Sequence, residues 1–200
     1  MLNILILCTG NSCRSIMAEA LINHHAGLMA PGRLHAQSAG SRPTGKVHPR
    51  TLSTLLAHGI ETAGLASKSW DDLANEPFDA VITVCDAAAG EACPLFPGTP
   101  ALAHWGLPDP ASAEGSEMKI QAVFDRVFET LALRASALAK LANGNPANKA
   151  DLGLRLAEIG LKNPQPQRVQ HLPRRRQQPV LGHHALPSGS RGRWHARDRP

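Results

Sequence analysis

No apolar run in the 200-residue sequence approaches the roughly 20 residues that a membrane span requires, which excludes a helical transmembrane protein. The apolar start, Met1 to Leu7, lacks a basic n-region, and Cys8-Thr9-Gly10 interrupts it where a secretory h-region would still be running, so no signal peptide is expected. Cysteine is scarce, with four residues, which argues against a disulfide framework and for reduced thiols in the cytoplasm. No Cys-x-x-Cys pair is present, and the adjacent pairs His24-His25 and His183-His184 diverge on a helix, so no metal site is expected. What remains, with 42% hydrophobic and 18% charged residues, is an ordinary globular chain: one large domain, or a domain with an appendage.

The net charge of +5 is unevenly spread. Residues 1–162 carry 13 Lys and Arg against 15 Asp and Glu, whereas residues 163–200 carry 8 Arg against Asp198 alone. The body is therefore mildly acidic and gives no reason to bind nucleic acid. Residues 163–200 also hold six of the 16 prolines and four of the 10 histidines, with no hydrophobic period. They read as a disordered tail appended to a domain at 1–162. A polybasic arm around Arg174-Arg175-Arg176, or coding that continues past a natural end near Gly160, would have the same composition.

Leu2-Asn3-Ile4-Leu5-Ile6-Leu7 reads as a buried parallel strand feeding a polar loop, Cys8 to Ser12. A helix is expected from Ser15, with Ile16, Ala20 and Leu21 inward and Gly27 as its stop, and a second strand over Arg33 to Ser38. His48-Pro49 opens another helix, with Leu52, Leu55 and Leu56 buried and Gly59 at its end. Strands follow at Phe78 to Val84 and Ala101 to Ala103, then a loop over His104 to Pro110. A long helix capped by Ser116 runs to Leu141, and an amphipathic stretch spans Lys149 to Leu161. This alternation predicts an α/β fold, a parallel sheet with helices on both faces.

The loop after the first strand carries the chemistry. Gly10, Asn11 and Ser12 let the backbone curl with its amides inward, and the loop opens directly into a helix, so amides and helix terminus form an oxyanion nest. Arg14 adds a planar fork of donors matched to two oxygens of a tetrahedral dianion. The same positive field is expected to lower the pKa of Cys8 and supply a thiolate aimed at phosphorus or arsenic.

Cys8-Thr9-Gly10-Asn11-Ser12-Cys13-Arg14-Ser15 resembles the active-site loop of the low-molecular-weight tyrosine phosphatase superfamily, and more closely its arsenate reductase branch. Ser38-Ala39-Gly40, Val84-Cys85-Asp86 and His104 to Pro110 resemble that branch too, in order, from Met1 to about Gly160. The resemblance implies a four-stranded parallel sheet, Cys8 as nucleophile, Arg14 as oxyanion clamp, Ser15 as hydroxyl donor to the thiolate and Asn11 as holder of the loop. It implies Asp109 as general acid. Independently, Cys8, Cys85 and the loop bearing Asp109 each follow a predicted strand, and the carboxyl ends of parallel strands share one edge. Glu19 and Ser38 resemble positions that help bind potassium in some members, but Lys68 stands where part of that acidic ligation would fall; an ammonium could replace the ion there, which leaves potassium dependence open.

Two features favour a reductase over a phosphatase. Reduction of arsenate needs two electrons, and Cys85 and Cys93, eight residues apart across an alanine-rich segment, provide thiols that a hydrolase does not need. The chain also has no tyrosine, and Ala111-Ser112 follows Asp109-Pro110 where phosphatases of that superfamily usually carry aromatic walls. Trp70 and Trp105 read as packing residues. The expected activity is therefore arsenate reduction, without a bound cofactor, through an external thiol reductant: thioredoxin, or glutathione with glutaredoxin. The expected partners are a small oxyanion and that reductant, with no membrane and no nucleic acid at the tail. Hydrolysis of phosphomonoesters is the second reading, and an oxyanion-sensing binding protein the third.

Overall fold

The structure is a computed structural model that describes residues 1–86, 96–98, 100–144 and 146–163. Cys93 and the tail after Asn163, including His183-His184, lie outside the described residues. Four strands, β1 (Leu2–Cys8), β2 (Leu34–Gly40), β3 (Ala80–Thr83) and β4 (Ala101–His104), form one parallel sheet in the order β2-β1-β3-β4. The register pairs Cys8 with Gly40, Leu7 with Thr83, and Thr83 with His104, so all four strands end along one edge. His104 thus belongs to a strand, where the sequence placed it in a loop.

Side chains of β1 alternate between the two faces of the sheet. Ile4 and Ile6 join the larger core with four helices, α1 (Arg14–Met29), α2 (Pro49–Ala57), α3 (Glu117–Asn143) and α4 (Lys149–Lys162). Leu5 and Leu7 face a smaller core of Leu73, Phe78, Val81 and Phe96, against which Trp70 packs; a 3-10 turn, Asp71–Leu73, covers that side. Among the described residues no helix is long and apolar enough to cross a membrane.

Two helix readings need correction. Gly27 does not stop α1, which continues to Met29; the turn comes at Gly32, whose φ is +69°. In α2 the buried residues are Thr51, Thr54 and Leu55, while Leu56 is exposed. The threonines face inward because they have polar partners there: Thr51 Oγ1 donates to the Ser12 carbonyl at 3.3 Å, and Thr54 Oγ1 accepts from Gln121 of α3 at 3.1 Å. His48 caps α2 with Pro49 in its first turn, as expected, whereas Ser116 stands at the start of α3 without a capping hydrogen bond from its side chain.

Arg134 of α3 is buried, and its guanidinium donates to the carbonyls of Trp105 (2.9 Å), Asn163 (3.1 Å) and Gly160 (3.2 Å). It joins the end of α4 to the chain leaving β4. Trp105, also buried, donates from Nε1 to the Leu156 carbonyl at 2.8 Å, a packing role as expected.

Candidate active site

The loop from Cys8 to Ser15 curls at the carboxyl end of β1 and runs into α1. A neighbouring strap shapes it. The amides of Ser41, Arg42, Thr44 and His48 donate in turn to the carbonyls of Cys8, Thr9, Gly10 and Ser12, at 2.9–3.3 Å. Carbonyls satisfied from outside leave the loop's amides available to an anion, and the Asn11 amide is directed at the Cys8 sulfur. Sequence reasoning missed this strap, because backbone hydrogen bonds have no side-chain signature. Gly40 permits the close approach: a Cβ there would stand 2.5 Å from the Thr9 carbonyl oxygen.

Cys8 Sγ lies 2.9 Å from Ser15 Oγ and accepts the Asn11 amide at 3.1 Å. Asn11 is fully buried with φ +43°, a left-handed conformation that asparagine tolerates better than most residues. The expected lowering of the Cys8 pKa is not met. Burial pushes the thiol up, hydrogen bonds from Ser15 and the Asn11 amide pull it down, neighbouring Cys85 adds to the rise, and Arg14 contributes least. The guanidinium is engaged elsewhere: Nη1 donates to the Leu107 carbonyl at 2.8 Å and Nη2 lies 3.2 Å from Asp109 Oδ2.

Three expected segments do meet. Asp109 touches Arg14 and with its other oxygen accepts the Ala111 amide at 3.1 Å, so it is both a turn aspartate and a partner of the loop. Cys85 follows β3 and is buried, with Sγ 3.7 Å from Thr9 Oγ1. Thr9, Gly10, Ser12 and Cys13 all lie in the loop; Cys13 is buried, with its thiol also pushed up by burial. Cys8, Cys13 and Cys85 form no disulfide with one another.

Two clusters beyond those segments border the edge. His104 reaches Thr83 Oγ1 with Nδ1 at 2.8 Å and Asp86 Oδ1 with Nε2 at 3.1 Å, tying β4 to the residue after Cys85. Behind the loop, Ser38 Oγ donates to Glu19 Oε2 at 2.5 Å, and Lys68 Nζ lies 3.7 Å from Glu19 Oε1. With an ammonium at that carboxylate, these residues do not fit a resident potassium ion. Among the described residues no group of three His, Cys, Asp or Glu side chains is placed to hold a metal.

The model of the family described as low molecular weight phosphotyrosine protein phosphatase matches residues 3–145. An arsenate reductase from Halalkalibacterium halodurans is 36% identical over 137 residues, covering 68% of this chain and 94% of that protein. Among solved structures, the arsenate reductase from Archaeoglobus fulgidus DSM 4304 matches with TM-score 0.54 and 26% identity, over 68% of this chain and 98% of its own. The thioredoxin-dependent arsenate reductase of Corynebacterium glutamicum matches with TM-score 0.53 and 28% identity, over 72% of this chain and 62% of its own. The matched stretch contains the loop, its strap and the Asp109 turn, and the chain belongs to the low molecular weight phosphotyrosine protein phosphatase family, on the side that holds arsenate reductases.

Proposed function

We propose that this protein reduces arsenate to arsenite. The observation that carries the reading is Cys85, a second thiol buried against the oxyanion loop beside Cys8, with no task in ester hydrolysis. In the proposed sequence Arg14 leaves Asp109 for the oxyanion, and the Cys8 thiolate attacks arsenic, forming a sulfur–arsenic bond. Asp109, freed from Arg14, takes up a proton from solvent and passes it to the departing oxygen, which leaves as water. The Cys85 thiolate then attacks the Cys8 sulfur; the electron pair of the sulfur–arsenic bond passes to arsenic, and arsenite leaves. Cys93 displaces Cys8 from the mixed disulfide, and an external dithiol or glutathione with glutaredoxin reduces the resulting Cys85–Cys93 pair. Two thiols lose the two electrons that arsenic gains.

Thioredoxin is the favoured reductant, in keeping with the thioredoxin-dependent relative. A cytoplasmic location suits an enzyme that must return to the thiol state. Domain 1–162 holds the described site residues, and no bound cofactor enters the scheme.

The test is arsenite production by the purified protein with thioredoxin and its reductase, and separately with glutathione and glutaredoxin. Cys85→Ser is expected to abolish arsenite formation while keeping hydrolysis of p-nitrophenyl phosphate, and Cys93→Ser to abolish turnover with the working reductant. Cys8-dependent ester hydrolysis with no arsenite from either system would instead establish a phosphatase, for which Cys8, Arg14 and Asp109 suffice.

A further inference from the structure

The hydrogen bonds around Asn11 have a direction that can be read without seeing a hydrogen. The Lys68 backbone amide donates to Asn11 Oδ1 at 2.7 Å. That bond fixes which end of the side-chain amide is oxygen, so Nδ2 must donate, and it does so to Ser38 Oγ at 2.8 Å and Ser15 Oγ at 3.0 Å. Each hydroxyl that accepts from Nδ2 has its own proton for another acceptor. Ser38 gives its proton to Glu19 Oε2, and Ser15 has Cys8 Sγ at 2.9 Å. The chain is thus polarised from Glu19 to the thiol, and every donor has one acceptor assigned.

Its far end is electrically demanding. Glu19 is buried, and an ionised carboxylate out of water requires a partner. Lys68 supplies the positive charge with Nζ 3.7 Å away, while its backbone holds Asn11. The segment is fixed there because Gly40 N donates to the Lys68 carbonyl at 3.0 Å and Gly40 bridges to Ser69.

We propose that the Lys68–Glu19 pair is a built-in cationic positioning device that keeps Ser15 donating to the Cys8 sulfur, acting through Ser38 and Asn11. Loss of the ammonium has two outcomes, and both oppose a thiolate. If Glu19 stays ionised, an uncompensated negative charge faces the loop. If Glu19 takes up a proton, its hydroxyl turns toward Ser38, whose own proton then meets Asn11 Nδ2, donor against donor. Asn11 is released and Ser15 with it. Among the described residues, the other charged or titratable groups facing Cys8 are Arg14, Cys85 and, beyond Arg14, Asp109; substitutions at Lys68 or Ser38 leave all of them in place.

The inference rests on Cys8 as the nucleophile, and its test reads the thiol itself, so it fails separately from arsenate reduction. The rate of Cys8 alkylation by iodoacetamide, assigned by mass to its peptide, is followed against pH in the full-length chain. Lys68→Ala is expected to alkylate about tenfold more slowly below the midpoint and to move the midpoint up by about one pH unit; Lys68→Arg should behave as the unsubstituted protein. Ser38→Ala, which cuts the chain while keeping both charges, should show the same upward shift. A Ser38→Ala profile that superimposes on that of the unsubstituted protein overturns the relay whatever Lys68→Ala does, and decides alone if Lys68→Ala does not fold. A folded Lys68→Ala with an unmoved midpoint overturns it equally.

Discussion

Cys8 and Cys13 share an environment that favours the neutral thiol, since burial raises both above their ordinary value of 9.0. For an acid whose folded-state pKa is raised, the unfolded chain gives up its proton first. Their contribution to stability is therefore complete below about pH 9 and is lost as pH climbs through the folded values. The melting temperature is expected to hold level from pH 7 to about 9 and then to fall. With no tyrosine in the chain, phenol titration does not obscure that limb. Cys13→Ser, which removes one of the titrating thiols, should flatten it; an unchanged slope in thermal melts at pH 9 to 10.5 would sink the assignment. In the proposed reaction, bound oxyanion draws Arg14 from Asp109 toward the loop, where its charge favours the thiolate.

At the scale of elements, two helical glycines test what a Cβ meets. Gly27 in α1 has nothing within 4 Å of a built Cβ, so Gly27→Ala should stabilise by about 1 kcal/mol from helix propensity alone. Gly160 in α4 has Trp105 Cδ1 only 2.8 Å away. Gly160→Ala should therefore destabilise by about 1–2 kcal/mol, because overpacking exceeds the same propensity gain. Urea melts of the two variants should move in opposite directions, and a stabilised Gly160→Ala would refute the packing account. The same pair explains what the sequence disclosed. Read as a stop, Gly27 was misleading because the buried residues of α1 outweigh the propensity cost of one glycine, and Gly160 showed its reason only when Trp105 was placed. β1 was legible because a strand buried on both faces is apolar almost throughout. The buried side of α2 was not, since its threonines are satisfied by groups distant in sequence. Cys8, Cys85 and the loop bearing Asp109 were legible because each lies at or just beyond a strand end, and Arg14 because it closes the polar loop that opens into a helix; their roles came with the family resemblance of those segments. Arg134 was not, since a buried arginine on three carbonyls reads as any surface arginine until its neighbours are known.

Over the whole molecule, the site joins pieces from distant stretches along one sheet edge, and all its described parts precede residue 110. The charge is distributed otherwise, with +7 in residues 163–200 against −2 before them. A basic arm near an anion-binding site would raise the local concentration of arsenate and speed its capture at low salt, an effect that added salt would erase. The prediction that the site works without that stretch rests on the described domain itself, in which Arg134 closes the end of α4 at Asn163. Removing residues 168–200 should accordingly leave kcat/KM for arsenate within about twofold at both low and high ionic strength, with the melting temperature unmoved. A fall of tenfold or more confined to low salt would assign the arginines a steering role, whereas a fall at every salt concentration with a lower melting temperature would make the stretch part of the fold.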